Sequence, residues 1–236
     1  MSQAADGQTP PVRRMGRPST PRLSLHAIGH EALALLEEEG VLSLPRLAER
    51  LGVRQSAFYK HVAGRSDIVE LARGALAERI PLPRLSGDLD TLVHQVFDVL
   101  RRTYQTVPAL LPLLLVQPMT HPDALAVYDR IAAAFEAAGV PKHLVLPAVE
   151  TLDSAAIGAA LDALTIESMW TFTDGQAAAF PNLAGARDAL STRPVDRFGF
   201  LADTLAAGLK RTAVPGPVAP VPALAPEPAD NQEKLP

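Results

Sequence analysis

There is no cysteine among the 236 residues, which removes disulfide frameworks, thiolate zinc sites and cysteine nucleophiles in one step. No stretch is long and apolar enough to read as a membrane span: the longest strongly apolar run, Ala109 to Val116, is cut by Pro112 and falls far below the roughly 20 residues a spanning helix needs. The N-terminus carries polar residues and arginines with no apolar core behind them, the opposite of a secretory leader. Gly-rich phosphate loops and a nucleophile elbow are missing as well. These gaps predict a cytoplasmic protein that is not an enzyme and makes no membrane contact. Hydrophobic residues at 47% against 20% charged are enough for a buried core, so a folded protein is expected.

Charge is distributed unevenly along the chain. Residues 1–80 hold 11 basic and 9 acidic side chains, a net of +2, whereas residues 81–236 hold 11 basic and 17 acidic, a net of -6. From Val41 to Ser66 five basic residues (Arg46, Arg50, Arg54, Lys60, Arg65) face one acidic residue, Glu49. Such a local excess of positive charge is the footprint of a phosphate-binding surface.

The same segment, SLPRLAERLGVRQSAFYKH over residues 43–61, spells two short helices around a tight turn. Ser43 is a candidate N-cap, with Leu47, Ala48 and Leu51 recurring at helical spacing behind it. Gly52 supplies the freedom to stop the first helix, and Val53 can plug the corner. On the second helix Ala57 and Phe58 can turn inward and leave Gln55, Ser56, Tyr59, Lys60 and His61 outward, a set able to read base edges and hold phosphates. This is a helix-turn-helix. Upstream, Arg13, Arg14, Arg17 and Arg22 lie in a Pro-rich arm suited to a minor groove. The surface expected to meet double-stranded DNA is Arg17, Ser43, Arg54, Gln55, Ser56, Ala57, Tyr59, Lys60 and His61.

From about Leu23 to Ile80 the chain resembles the DNA-binding domain of the tetracycline-repressor (TetR) family of bacterial transcription regulators. The resemblance rests on Ala32, Leu36, Glu39 and Gly40 closing a first helix, Leu47-Ala48 and Leu51-Gly52-Val53 around the turn, Phe58-Tyr59-Lys60-His61-Val62 ending the recognition helix, and Ser66-Asp67-Ile68 opening the next. Phe58 stands where leucine is commoner in such proteins.

Beyond Pro81 and Pro83, which end a helix running from Ser66 to Ile80, the pattern is helical throughout. Helices are predicted from Asp88 to Gln105, from Pro122 to Ala138, over one long stretch from Leu144 to Trp170, and from Val195 to Arg211. The predicted fold is all-α: a flexible basic arm (1–22), a three-helix helix-turn-helix head (23–80), a larger helical ligand-binding and dimerisation domain (81–213) and a disordered Pro/Ala tail (214–236). The resemblance implies that the second domain binds a small-molecule effector and pairs into a homodimer through its long C-terminal helices. Ser154, Ala155, Gly158, Ala159, Asp162, Phe198, Leu201 and Leu205 fall where that seam would lie. The small residues around Gly158 serve equally well as an internal helix-packing surface, and both readings stay open.

A pocket between the helix after Asp88, the Pro-broken segment and the long helix is expected to use Phe97, Leu100, Tyr104, Leu113, Leu114, Val116, Met119 and Trp170. That mostly apolar wall suits a hydrophobic or aromatic effector. Tetracycline repressors hold a drug-bound magnesium through histidines whose positions fall near Pro81 and Leu113 here, so tetracycline is not the expected inducer. No cofactor and no metal site are expected: His26 and His30, four apart, and His121 and Asp123, across a proline, each fall short of a third ligand. The reading is a ligand-responsive repressor on an inverted-repeat operator. The alternative is a helical ligand-binding or ligand-modifying protein with a vestigial head.

Overall fold

The computed structural model describes residues 23–162 and 170–213, and every regular element in them is helical. The readings of a basic arm with Arg17 and of a disordered tail lie outside the described residues.

Helix α1 (Leu25–Glu39) starts behind Ser24, whose hydroxyl accepts the Ala27 N–H at 3.1 Å, and stops at Gly40 in the left-handed region with φ 69°. Its buried side includes Ile28, Ala32, Leu33, Leu35 and Leu36. Helix α2 (Leu44–Arg50) follows with Pro45 in its first turn. Ser43 does occupy its N-cap, but the hydroxyl caps nothing. At the turn Gly52 takes φ 65° and the Val53 N–H reaches back to the Ala48 carbonyl at 3.0 Å. The next element, expected as an α-helix, is a 3₁₀ helix of six residues, Gln55–Lys60. What anchors it is Phe58, only 1% exposed and turned inward as the sequence pattern predicts.

Helix α3 (Arg65–Glu78) closes the three-helix head against α1. The two backbones approach so closely at Gly29 that a Cβ there would lie 2.6 Å from the Leu71 carbonyl oxygen, which is why glycine is required. The opposite side of α3 packs on the rest of the chain.

The larger bundle comprises α4 (Leu89–Thr106), the single-turn α5 (Leu111–Leu114), α6 (Pro122–Ala137), α7 (Lys142–Asp162), α8 (Asp174–Ala179), α9 (Pro181–Thr192) and α10 (Arg197–Ala213). Asp88 caps α4 by accepting the Thr91 N–H, and Leu92, Val93, Val96, Phe97 and Leu100 form its buried stripe. Helices α7 and α10 pack on that stripe, and α6 bridges α7 to α3. Gly139, at φ 90°, follows the end of α6.

Two sequence expectations need correction. The long helix begins at Lys142 and is described only to Asp162; residues 163–169 lie outside the described residues, and Trp170 is in irregular chain. Helices α8 and α9 were not anticipated, because they bury only Ala184 between them and so carry almost no apolar periodicity. A capping box, Thr173 with Gln176, starts α8 and was the local signal available. In addition, α7 is long and apolar enough to pass for a membrane-crossing helix. Its Val145, Ala148, Val149, Leu152, Ala156 and Ala160 are instead buried in the bundle.

Candidate nucleic-acid interface and effector cavity

The 3₁₀ helix and its flanks present Arg54, Gln55, Ser56, Tyr59, Lys60 and His61 on the exposed side of the head, with Ala57 half-buried beneath them. Among the described residues none of those six side chains has a hydrogen-bond or ion-pair partner. Donors left free in this way are available to a ligand. The charge count of the segment overstates its reach, however. Arg46 is held by Glu39 at 3.1 Å and Glu49 at 2.6 Å, and Arg50 by Glu31 and by Glu38 at 2.8 Å. The Arg50 guanidinium keeps the Glu38 carboxyl below the usual carboxylate range. Two of the five cations therefore brace α2 against α1, and Arg54, Lys60 and Arg65 form no ion pair among the described residues.

Behind the head, Tyr104 on α4 and Tyr128 on α6 converge on Asp153 of α7. Both phenols donate to Asp153 Oδ1, at 2.5 and 2.6 Å, and their oxygens lie 2.7 Å apart. Burial pushes the Asp153 carboxyl up, with the two hydroxyls and Arg73 opposing it. Burial, together with the neighbouring carboxylate, raises both phenols far above their ordinary range. Asp153 is thus the polar centre of the bundle. Next to it a cavity of about 20 Å³, room for one water, is lined by Tyr104, Tyr128, Leu114, Met119, Arg73 and Leu76, among others.

Of the eight expected wall residues only Tyr104, Leu114 and Met119 line this cavity. Leu100 is core, and Phe97 faces a separate cleft between α4 and α10. Leu113 is half-buried against the core and does not line the cavity. Val116, past the end of that short helix, is 83% exposed, and Trp170 is 51% exposed. Arg73 and Tyr128 were missed, since nothing in a linear reading brings α3 and α6 to the same point.

The cavity is tied to α3 by charge. Arg73 donates to Glu70 at 2.7 Å and to the Leu114 and Gln117 carbonyls at 3.3 Å. Glu70 in turn accepts the Thr120 and His121 N–H groups at 2.6 and 2.7 Å. Burial alone would raise the Glu70 carboxyl, but these two N–H donors and Arg73 prevail and hold it below its ordinary range.

The residues assigned to a subunit seam divide. Ser154 and Gly158 are exposed on α7, and a Cβ on Gly158 would meet nothing within 4 Å. Ala159 is buried within the chain and Ala155 half-buried, so the small-residue surface serves internal packing on one side and stands open on the other. Phe198 is half-buried between the guanidinium groups of Arg101 and Arg197, 4.6 and 4.9 Å from its ring centre. Asp162 pairs with Arg197 at 2.8 Å, while Leu201 and Leu205 lie half-buried against the core. Finally, the histidine pair on α1 does gain a third donor: Glu78, at the end of α3, lies 3.7 Å from His26 and 2.9 Å from His30.

No family model matches the chain. Among solved structures, the Streptomyces coelicolor TetR family protein ActR in complex with actinorhodin superimposes with a TM-score of 0.70 over 83% of this chain and 99% of that one, at 21% identity, which shows a shared fold. An HTH-type transcriptional regulator of Saccharopolyspora erythraea is 31% identical over 175 residues, 72% of this chain and 69% of that protein. The chain belongs to the TetR family of transcriptional regulators. The HTH-type transcriptional repressor DrrR1 of Streptomyces coeruleorubidus is a more distant relative, 24% identical over 156 residues that make up 63% of this chain and 56% of that protein. This TetR-family chain is accordingly a DNA-binding regulator, with the helix-turn-helix at Leu44–Lys60.

Proposed function

We propose that this TetR-family regulator is a homodimeric repressor that grips an inverted-repeat operator with Arg54, Gln55, Ser56, Tyr59, Lys60 and His61 of each head, and releases it when a small organic effector enters the cavity beside Tyr104, Tyr128 and Asp153. One observation carries the reading. Helix α3 packs on α1, with Leu71 against Gly29, and the same helix contributes Arg73, Leu76 and Ala77 to the cavity wall. A ligand that widens this cavity presses on α3 and on the Arg73 contacts that fasten it.

The cavity has room for no more than about one water, so an effector must part the tyrosines and replace their bonds to Asp153. A largely apolar molecule carrying a hydroxyl or phenol does both, because the walls are apolar and the carboxylate is an acceptor. ActR, solved with actinorhodin, supports an organic ligand in this fold. The exposed sides of α7 and α10, which carry Thr151, Ser154 and Gly158 on one helix and Phe200, Thr204 and Ala207 on the other, take the second subunit. Pairing is required because two recognition elements must meet successive major grooves about 34 Å apart. An effector weakens binding only by favouring a dimer with the wrong spacing.

The test is selection of bound sequences from a random DNA pool, followed by release assays on the recovered site with a panel of hydroxylated aromatic and aliphatic compounds. A palindrome whose complex is dissociated by a panel member, with Tyr128→Phe weakening that response, supports the proposal. Recovery of no preferred sequence, or turnover of the compound by the protein, overturns it.

A further inference from the structure

The geometry points to a binding site for a divalent transition cation of the zinc class, formed by His26, His30 and Glu78, that fastens the first turns of α1 to the end of α3. His26 and His30 are one turn apart, so their imidazoles share a face of α1. Their rings lie 4.1 Å apart at 35°. Glu78 brings one carboxylate oxygen to 3.7 Å from His26 Nε2 and the other to 2.9 Å from His30 Nε2. One ligand atom from each residue falls within 4.8 Å of the other two, and among the described residues no other such trio occurs. Tetrahedral zinc with bonds near 2.1 Å separates its ligand atoms by about 3.4 Å, between the two observed spacings, so small rotamer shifts suffice.

The donor set decides the metal class. Two imidazole nitrogens with one carboxylate suit Zn²⁺, Co²⁺ or Ni²⁺, whereas Mg²⁺ and Ca²⁺ require oxygen on nearly every side. Three protein ligands leave further positions open. His121 and Asp123, at the start of α6, line the same cleft and give the ion a polar outer surround. Glu78 lies two residues before the chain leaves the head at Ile80, and His26 follows the basic arm almost at once. An ion here therefore links the entry of the head to its exit, independently of the effector cavity.

The experiment uses untagged, full-length protein stripped with a chelator and titrated with Zn²⁺ and Co²⁺. One equivalent of Co²⁺ per chain should give the visible absorption of a four- or five-coordinate N/O site, and Zn²⁺ should displace it. At a hundredfold excess over Kd, Zn²⁺ should raise Tm by about 5 to 10 °C. Glu78→Gln and His30→Gln should each weaken Zn²⁺ binding at least tenfold, with unchanged helical content by circular dichroism showing that the fold survives. Mg²⁺ should neither bind nor stabilise. Binding weaker than 100 µM, or one-equivalent binding retained in a His26→Gln/His30→Gln variant, would overturn the site and leave the trio as ordinary His–Glu ion pairs.

Discussion

Gly158→Leu separates the two uses of the small-residue surface on α7, because the site is open within the subunit. A Cβ there meets no atom within 4 Å, so the new side chain projects into solvent in an isolated chain. Glycine inside a helix costs about 1 kcal/mol relative to alanine and leucine nearly as little as alanine, so the folded subunit should gain about 0.8 kcal/mol. In a two-fold seam the same leucine is met twice. Overpacking at about 1 to 3 kcal/mol per site then costs about 2 to 6 kcal/mol per dimer, roughly 30-fold to over 10,000-fold in the dimer dissociation constant. Sedimentation velocity at micromolar concentration, run beside thermal melts at a concentration where only monomer is present, reads both quantities. The expected result is a subunit at least as stable as the parent that no longer dimerises and binds operator weakly. A variant that dimerises like the parent would show that this face is not the seam, and a destabilised monomer would contradict the open surroundings of Gly158.

Lys60→Ala should weaken binding to operator and random DNA alike and reduce the slope of log K against log[salt] by about one unit per head, whereas Gln55→Ala should flatten base preference at one position per half-site; titrations at several salt concentrations distinguish them. Glu70→Gln removes charge from a carboxylate that takes two N–H groups and Arg73, so it should cost about 1.5 to 3 kcal/mol in urea unfolding at pH 7 and blunt effector-driven release. Because the Glu70 pKa is lowered from 4.5 on folding, that contribution is complete above this value and fades as pH falls further; the deficit of the variant should shrink in acid. Asp153 has the opposite sign: its pKa is raised from 3.8, so the parent loses stability as pH rises through the folded value. Asp153→Asn should lack that decline, and identical pH profiles would refute the assignment.

The head was legible because its determinants are local. Gly52, the Leu47 and Ala48 face and the Phe58 plug each act within a few residues, and the structure uses all of them. The 3₁₀ form of the recognition segment was not legible, since the side-chain pattern of six residues fits either helix. Long-range pairings escaped for a different reason. Arg50 meets glutamates 12 and 19 residues earlier, Tyr104 meets Asp153 49 residues later, and His30 meets Glu78 across 48. Each depends on the register of two packed helices, which periodicity does not fix. The cavity wall failed at Val116 because apolar character alone cannot say that α5 ends after one turn and turns that residue outward.

The contact at Gly29 bears on how a signal could travel. With the Leu71 carbonyl oxygen only 2.6 Å from where a Cβ would sit, α1 and α3 are interlocked backbone to backbone and cannot slide past each other without collision. Under the proposed regulation, motion that starts at Arg73 reaches the Arg65 end of α3 as a rotation of the helix pair, not as a shear between them. Eight residues separate Arg73 from Arg65, about 12 Å along the axis, so a tilt of about 15° swings that end through about 3 Å. This is close to the rise of about 3.4 Å between base pairs. Bulk at position 29 should therefore damage effector response by loosening the lever before it touches either the cavity or the DNA-facing side chains.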